Sequence, residues 1–213
     1  EQEKLVRRGA DGKGPTLLKG SPGTGKSTVA LYRVKVILEK LRKAGVATPR
    51  ILFTTYTRAL TRVSEQLLES LLGADAALVD VRTADAVCLE IARAGGSPLE
   101  IAARRDLLAL VERATREAKL EGNSLQVAAQ RKTFEALGRT YLLDELLGVI
   151  DARGIDALDD YQAATRAGRK KALTKTQRAG VWRVRERFLE LLAESHRVSW
   201  EQIRASAAER VTN

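Results

Sequence analysis

The residues best suited to chemistry lie near the start of the chain and form one short run, Gly20-Ser21-Pro22-Gly23-Thr24-Gly25-Lys26-Ser27. The run fits the pattern G-x-x-x-x-G-K-S of a loop whose backbone N–H groups bind phosphate. In that pattern the lysine brings positive charge to the β- and γ-phosphates of a nucleotide, and the serine hydroxyl binds Mg²⁺. Thr28, the next residue, can reach the α-phosphate. The sequence therefore predicts an ATP and Mg²⁺ site over residues 20–28, with Lys26 and Ser27 as catalytic residues and Ser27 as the metal ligand.

Such a loop binds phosphate when it connects a strand to a helix, and the surrounding sequence indicates both. From residue 15 to residue 95, short apolar runs alternate with amphipathic stretches, which is typical of a parallel sheet covered by helices. The pattern predicts strands over 15–19, 50–56 and 76–82. It predicts helices over 26–43 and 83–94 and a helix that ends near residue 72. The loop N–H groups and a helix N-terminus would then converge on one anion.

The pattern changes after Gly95-Gly96-Ser97-Pro98, and no segment from residue 99 onward reads clearly as a strand. Amphipathic segments at about 99–118, 124–136, 138–151, 157–167, 175–194 and 199–211 predict helices instead. The sequence therefore predicts an α/β domain over residues 1–95 and an all-α subdomain over residues 96–213.

The charge of the chain favours a polyanionic partner. The formal net charge is +10 at pH 7, and residues 166–187 contain nine basic side chains against one acid. Such a concentration of positive charge is typical of nucleic-acid or phosphate contact. A solvated basic helix face is the alternative interpretation.

Composition excludes several other classes of function. One cysteine, Cys88, excludes an internal disulfide and fits a reducing cytoplasm, where we expect the protein to be located. One histidine, His196, excludes a histidine-based triad or a His/Cys metal site. No apolar run approaches the roughly 18 residues of a membrane span. The chain contains no methionine, not even at position 1, which suggests a processed or excised segment.

Hydrolysis of ATP requires more than a phosphate loop. A carboxylate must hold the Mg²⁺ shell, and such acids usually form a pair at the end of another strand. The one pair of suitable appearance, Asp144-Glu145, lies in a segment with helical spacing, and no run of β-branched residues precedes it. We therefore interpret both acids as helix surface, and the sequence contains no convincing acidic pair.

Together these motifs resemble the UvrD-like superfamily 1 DNA helicases. Gln2 resembles the glutamine with which that family reads the adenine edge. The segment Thr55-Tyr56-Thr57-Arg58 resembles the family's motif Ia, a loop at a strand end that touches single-stranded DNA. Tyr56 is suited to stacking on a base and Arg58 to meeting a phosphate. Thr83 matches one residue of a further DNA-contacting pattern in the family.

The resemblance continues into the second half of the chain. Segments 142–146, 161–169 and 200–203 resemble the helical insertion of a bacterial branch of the family. The resemblance implies a P-loop (RecA-like) α/β fold, which forms part of motor domain 1A and is followed by helical subdomain 1B. We expect the basic residues Arg169, Lys170 and Lys171 to contact single-stranded DNA together with motif Ia, and RNA stays open as an alternative.

In the family, an acidic strand follows this point, and the chain stops at Asn213. The resemblance therefore implies an N-terminal fragment of an ATP-driven DNA helicase that alone lacks hydrolysis and movement. Its sheet would be incomplete and would need the remainder of the motor or another protein chain.

Two rival interpretations stay open at this stage. An AAA-type ATPase has a similar glycine loop but predicts an acidic pair 50 to 60 residues after Lys26, where the sequence has only isolated aspartates. A non-catalytic module that docks nucleic acid or protein through its basic helices would not depend on Lys26.

Overall fold

The computed structural model describes residue 6, residues 15–96 and residues 100–212. Gln2, the predicted adenine contact, lies outside the described residues, as do Ser97 and Pro98 of the predicted domain boundary. The chain divides into two compact units, residues 1–87 and residues 88–213, here called unit 1 and unit 2. None of the described helices is both long enough and apolar enough to span a membrane.

Unit 1 has the alternation of helices and strands that the sequence predicts. Its elements are helix α1 (Lys26–Lys43), strand β1 (Ile51–Thr55), helix α2 (Arg58–Leu72), a 3₁₀ helix (Gly73–Leu78), strand β2 (Val79–Thr83) and helix α3 (Ala84–Arg93), within which the division between units falls. The predicted helix over 26–43 is confirmed at both ends. The predicted third strand begins three residues late, because residues 73–78 coil into the 3₁₀ helix after Gly73.

Strands β1 and β2 pair in parallel, with Ile51 opposite Val79 and Thr55 opposite Thr83. Alternate residues of β1 are half-buried, and those between them, Leu52 and Thr54, are exposed. The half-buried side packs on a small core that α1 and α2 supply, with buried residues Leu31, Val34, Leu38 and Leu68. Among the described residues, the other face of β1 is therefore exposed, whereas all five residues of β2 are half-buried.

The predicted strand over residues 15–19 is wrong. These residues have no regular structure, and Leu17 is 78% exposed. The reason is that a strand is held by hydrogen bonds to a neighbouring strand. In the described part of unit 1, β1 and β2 pair only with each other.

Unit 2 is almost entirely helical, as predicted. Its helices are α4 (Arg104–Glu117), α5 (Ser124–Leu137), α6 (Arg139–Glu145), α7 (Leu158–Ala163), α8 (Lys175–Glu194) and α9 (Trp200–Thr212). A π-helical turn (Leu146–Ile150) and a 3₁₀ turn (Asp151–Arg153) continue α6. The prediction of no strand is wrong in one place, since β3 (Glu100–Ile101) pairs in parallel with β4 (Arg197–Val198). Two-residue strands are too short to leave a pattern in the sequence.

The core of unit 2 surrounds α8. This helix begins at a capping box, in which Thr174 and Gln177 exchange backbone and side-chain hydrogen bonds. Its buried residues Val181, Val184, Phe188 and Leu191 recur at helical spacing and pack with α4 and α6. Tyr161 and Trp182 complete this core with their rings stacked at a centroid distance of 6.2 Å.

Candidate nucleotide and nucleic-acid sites

Two glycines of the loop adopt a left-handed backbone conformation. Gly23 and Gly25 have φ values of 81° and 78°, in the left-handed region that favours glycine. Gly25 is also the residue that caps α1. A Cβ atom at Gly20 would lie 2.8 Å from Thr24 Oγ1, so this position also depends on glycine. Three of the loop's predicted residues are therefore glycines for physical reasons.

The side chains of Thr24 and Lys26 both donate hydrogen bonds to one backbone carbonyl of the loop, that of Ser21. The Lys26 ammonium donates to the Ser21 carbonyl at 2.7 Å and lies 3.4 Å from Thr24 Oγ1. The Thr24 hydroxyl donates to the same carbonyl at 2.9 Å. These contacts hold the lysine charge over the loop, where a phosphate oxygen could replace the carbonyl as its acceptor.

The first turn of α1 offers donors to an anion. The first helical hydrogen bond runs from the Val29 N–H to the Gly25 carbonyl, so the N–H groups of residues 26–28 have no acceptor within the helix. No acid occupies that turn. Ser27 and Thr28 are exposed there. The positive end of the helix dipole adds to the Lys26 charge.

Two of the predicted nucleic-acid residues lie side by side at the carboxyl edge of the sheet. Thr55 and Thr83 are the last residues of β1 and β2 and are direct partners in register. Thr57 caps α2, since its hydroxyl accepts from the Leu60 N–H at 3.2 Å. The Thr83 hydroxyl accepts in the same way from the Ala86 N–H at 3.2 Å. These threonines hold the strand ends in place.

Tyr56 and Arg58, which lie on either side of Thr57 in the sequence, are both exposed. Tyr56 is 87% exposed, the largest exposure among the large hydrophobic side chains of the described residues. Arg58 is exposed and forms no ion pair within the part of the chain that the structure describes. One flat aromatic ring and one unpaired cation are thus available to a ligand.

The arginines of the basic run are situated differently, because each is bonded inside unit 2. Arg166 and Arg169 bond to Glu145, Arg178 donates to the carbonyl groups of residues 161, 162 and 164, and Arg185 pairs with Asp151. Arg183 pairs with Glu121 and Glu186, and Arg187 with Glu117, Glu190 and Glu194. Five of the nine basic residues of the run are therefore paired with acids, most of which lie elsewhere in the chain.

Glu145 is the centre of this pairing, and its assignment to the helix surface is wrong. Its side chain is fully buried and accepts from the Tyr161 hydroxyl at 2.8 Å, from Arg166 Nη2 at 2.9 Å and from Arg169 Nε at 2.8 Å. Asp144 is partly exposed, as expected, and bonds to Arg104 at 2.8 Å. The two acids of the candidate pair therefore have opposite environments.

Electrostatics of the buried cluster follow from its partners. Burial alone would raise the pKa of Glu145, but hydrogen bonds from Arg166 and Tyr161 and the charges of both arginines lower it overall. Burial, followed by the charge of Glu145, raises the pKa of Tyr161. Glu145 is therefore ionised, and its two carboxylate oxygens accept the hydrogen bonds from Tyr161, Arg166 and Arg169.

The predicted run 169–171 lies in the irregular segment between α7 and α8. The Arg169 guanidinium stacks over the Tyr141 ring at 3.8 Å and donates to the Tyr141 carbonyl. The Lys171 ammonium donates to the Ala136 carbonyl at 2.9 Å. Lys170 is exposed.

Sequence reasoning missed the structural role of Glu145, Tyr141 and Tyr161. A signal was present, because Glu145 lies three residues after Leu142 and one before Leu146, on the apolar side of its helix. In the described residues, no group of three or more His, Cys, Asp or Glu side chains could hold a metal ion.

Residues 1–205 match the family model of the UvrD/REP helicase N-terminal domain. The chain therefore belongs to this family, a family of helicases that in general bind ATP and nucleic acid. A match over nearly the whole chain favours the helicase interpretation over the AAA-type alternative. A comparison with curated proteins finds no match to this chain.

Proposed function

We propose that the chain is the nucleotide-binding part of a motor that couples ATP hydrolysis to movement along single-stranded DNA. The observation that carries this proposal is the glycine loop in front of α1, in a chain of helicase family. This short segment contains two glycines in the left-handed conformation and a lysine, Lys26, that is bonded to the loop. It also contains the N–H groups of residues 26–28, which have no acceptor within the helix.

The loop residues would act on ATP as follows. N–H groups of residues 23–28 bind phosphate oxygens, and Lys26 moves from the Ser21 carbonyl to the β- and γ-phosphates. The Ser27 hydroxyl fits Mg²⁺, which prefers oxygen ligands and shares them with nucleotide phosphates. When bound, the metal ion supplies charge that stabilises the phosphates in the transition state.

We further propose that residues 1–213 alone bind nucleotide without turning it over. Asp144 and Glu145 form the only acidic pair of suitable sequence, and both are engaged within unit 2. Glu145 is held by two arginines and a tyrosine, and Asp144 by Arg104. Neither is an uncommitted carboxylate for a metal ion.

For nucleic acid, we propose that a base stacks on Tyr56 and a phosphate binds Arg58, while Thr55, Thr57 and Thr83 fix the strand ends. Base stacking on an aromatic ring tolerates any sequence, which suits a motor that moves along a strand. In the run 169–171 we assign the phosphate contact to Lys170 and Lys171, with Arg169 holding the segment against Tyr141.

Equilibrium binding of a fluorescent ATP analogue with Mg²⁺ tests the nucleotide site. Lys26→Ala should weaken binding about ten- to a hundredfold, since a hydrogen bond to a charged group contributes about 1.5–3 kcal/mol. Lys35→Ala is the matched control, because Lys35 is an exposed lysine further along α1. Equal affinities of the wild type and Lys26→Ala would refute the assignment.

A further inference from the structure

We propose that Arg62 and Arg58 together form a subsite for two successive phosphates of one nucleic-acid strand, whose unstacked base lies on Tyr56. This inference rests on the proposed function, because it extends the strand that motif Ia binds. It assigns to α2 a second cation that the sequence motif does not include.

The two arginines share one side of α2. Residues four apart are neighbours on a helix surface, with about 5–6 Å between their Cβ atoms. Arg58 and Arg62 are both exposed and lie away from Leu68, the buried residue of this helix. Two guanidinium groups are thus presented to solvent one turn apart.

Neither arginine has an ion-pair partner among the described residues, although an acid lies within reach of Arg62 by its spacing. Glu65 lies three residues after Arg62, yet the structure shows no ion pair between them in the described part of unit 1. In unit 2 the same spacing gives a salt bridge, from Arg183 to Glu186 at 2.8 Å. Arg58 and Arg62 therefore keep their full charge for a ligand.

The position of Arg58 is unfavourable for the stability of the helix. α2 begins at Arg58, and its first turn contains no acid. The N-terminal end of a helix is positive, so cations there are unfavourable and acids are preferred. Arg58 lies in this first turn, where a bound anion would offset both its charge and the helix dipole, and Arg62 lies one turn further along.

The start of α2 is fixed in orientation by the threonines. The Thr57 hydroxyl accepts from the Leu60 N–H at 3.2 Å, and the Thr55 and Thr61 hydroxyls share a hydrogen bond of 2.7 Å. These bonds tie the helix to the end of β1. Tyr56, Arg58 and Arg62 are consequently held close together before any ligand arrives.

The chemistry of the surface selects the ligand and limits its length. An exposed aromatic ring binds a base only when that base is unstacked, which favours a single strand over a duplex. Beyond Arg62 the same side of α2 carries Glu65 and Glu69, which repel phosphate. The strand therefore meets two phosphate positions on α2 and then leaves the helix.

Fluorescence anisotropy with a short single-stranded oligonucleotide at several salt concentrations tests this subsite on the 213-residue chain. Each phosphate contact contributes about −0.7 to the slope of log affinity against log salt. Arg62→Gln should therefore reduce the slope by about 0.7, so that the affinity lost between 50 and 200 mM salt shrinks about 2.5-fold. Arg50→Gln, which removes another exposed arginine of unit 1, should leave the slope unchanged.

Two further variants separate the failure of this inference from the failure of the proposed function. An unchanged slope in Arg62→Gln, with weaker binding in Tyr56→Ala and Arg58→Gln, would overturn the two-phosphate subsite alone. Unchanged binding in all three variants would overturn the nucleic-acid site as well. Circular dichroism spectra of the variants serve as the control that each variant keeps its helices.

Discussion

Two groups of arginines, the basic run of unit 2 and the pair at the start of α2 in unit 1, differ in their surroundings. In unit 2, five arginines of the basic run pair with acids, as Arg185 does with Asp151 and Arg187 with Glu117. In the described part of unit 1, Arg58 and Arg62 form no ion pair and lie near the exposed Tyr56. The density of positive charge along a sequence therefore does not locate an anion-binding surface. What locates it is whether the fold places acids opposite those charges.

The hydrophobic core is also larger in unit 2 than in unit 1. Twenty buried residues form one cluster in the described part of unit 2, against four in unit 1. Eight of the large apolar side chains that are exposed belong to unit 1, and they are Leu17, Tyr32, Val46, Leu52, Tyr56, Leu60, Val63 and Leu67. Unit 2 buries its own apolar surface, and unit 1 leaves much of its own uncovered.

The largest effect that we expect from this difference is in amide hydrogen exchange. Leu17 and Leu18 lie in a segment without regular structure and should exchange nearly as fast as an unfolded chain. Amides of Val184 and Leu191, buried in α8, should exchange at least about a thousandfold more slowly. Equal protection of the two sets in a proven monomer would show that the sheet of unit 1 includes residues 15–19.

A second experiment tests how much the buried pairing contributes to unit 2. Glu145→Ala leaves Arg166 and Arg169 without their acid, and breaking a buried ion pair costs about 3–5 kcal/mol. Asp144→Ala, the adjacent control, removes a surface pair and should cost less than about 1 kcal/mol. Urea unfolding measures both changes. A similar small loss in the two variants would contradict the central place of Glu145.

Local features of the fold could be predicted from the sequence. The helix over 26–43 was predicted at both ends, because the glycine loop fixes its start and Gly45 follows its end. The runs that became β1 and α2 were also recognised. The site residues of the glycine loop and motif Ia stay predictions, since binding itself is what tests them.

Features that depend on distant residues could not be predicted. The strand expected over 15–19 failed because strand formation requires a neighbour that no local pattern reveals. The position of Glu145 on the apolar side of its helix indicated burial, but its partners Arg166 and Arg169 could not be predicted, because they lie 21 and 24 residues further along the chain. The charge of the basic run was misleading for the same reason, since Arg187 meets Glu117 across 70 residues.

The most direct test of this account removes two positive charges from each unit in turn and compares salt dependence on single-stranded DNA. Arg58→Gln with Arg62→Gln should reduce the log-log salt slope by about 1.4, the sum for two phosphate contacts. Arg183→Gln with Arg187→Gln removes the same formal charge but only from existing ion pairs, so the slope should not change. A reduction of equal size in both double variants, or a reduction in the second alone, would contradict the claim that unpaired arginines mark the nucleic-acid surface.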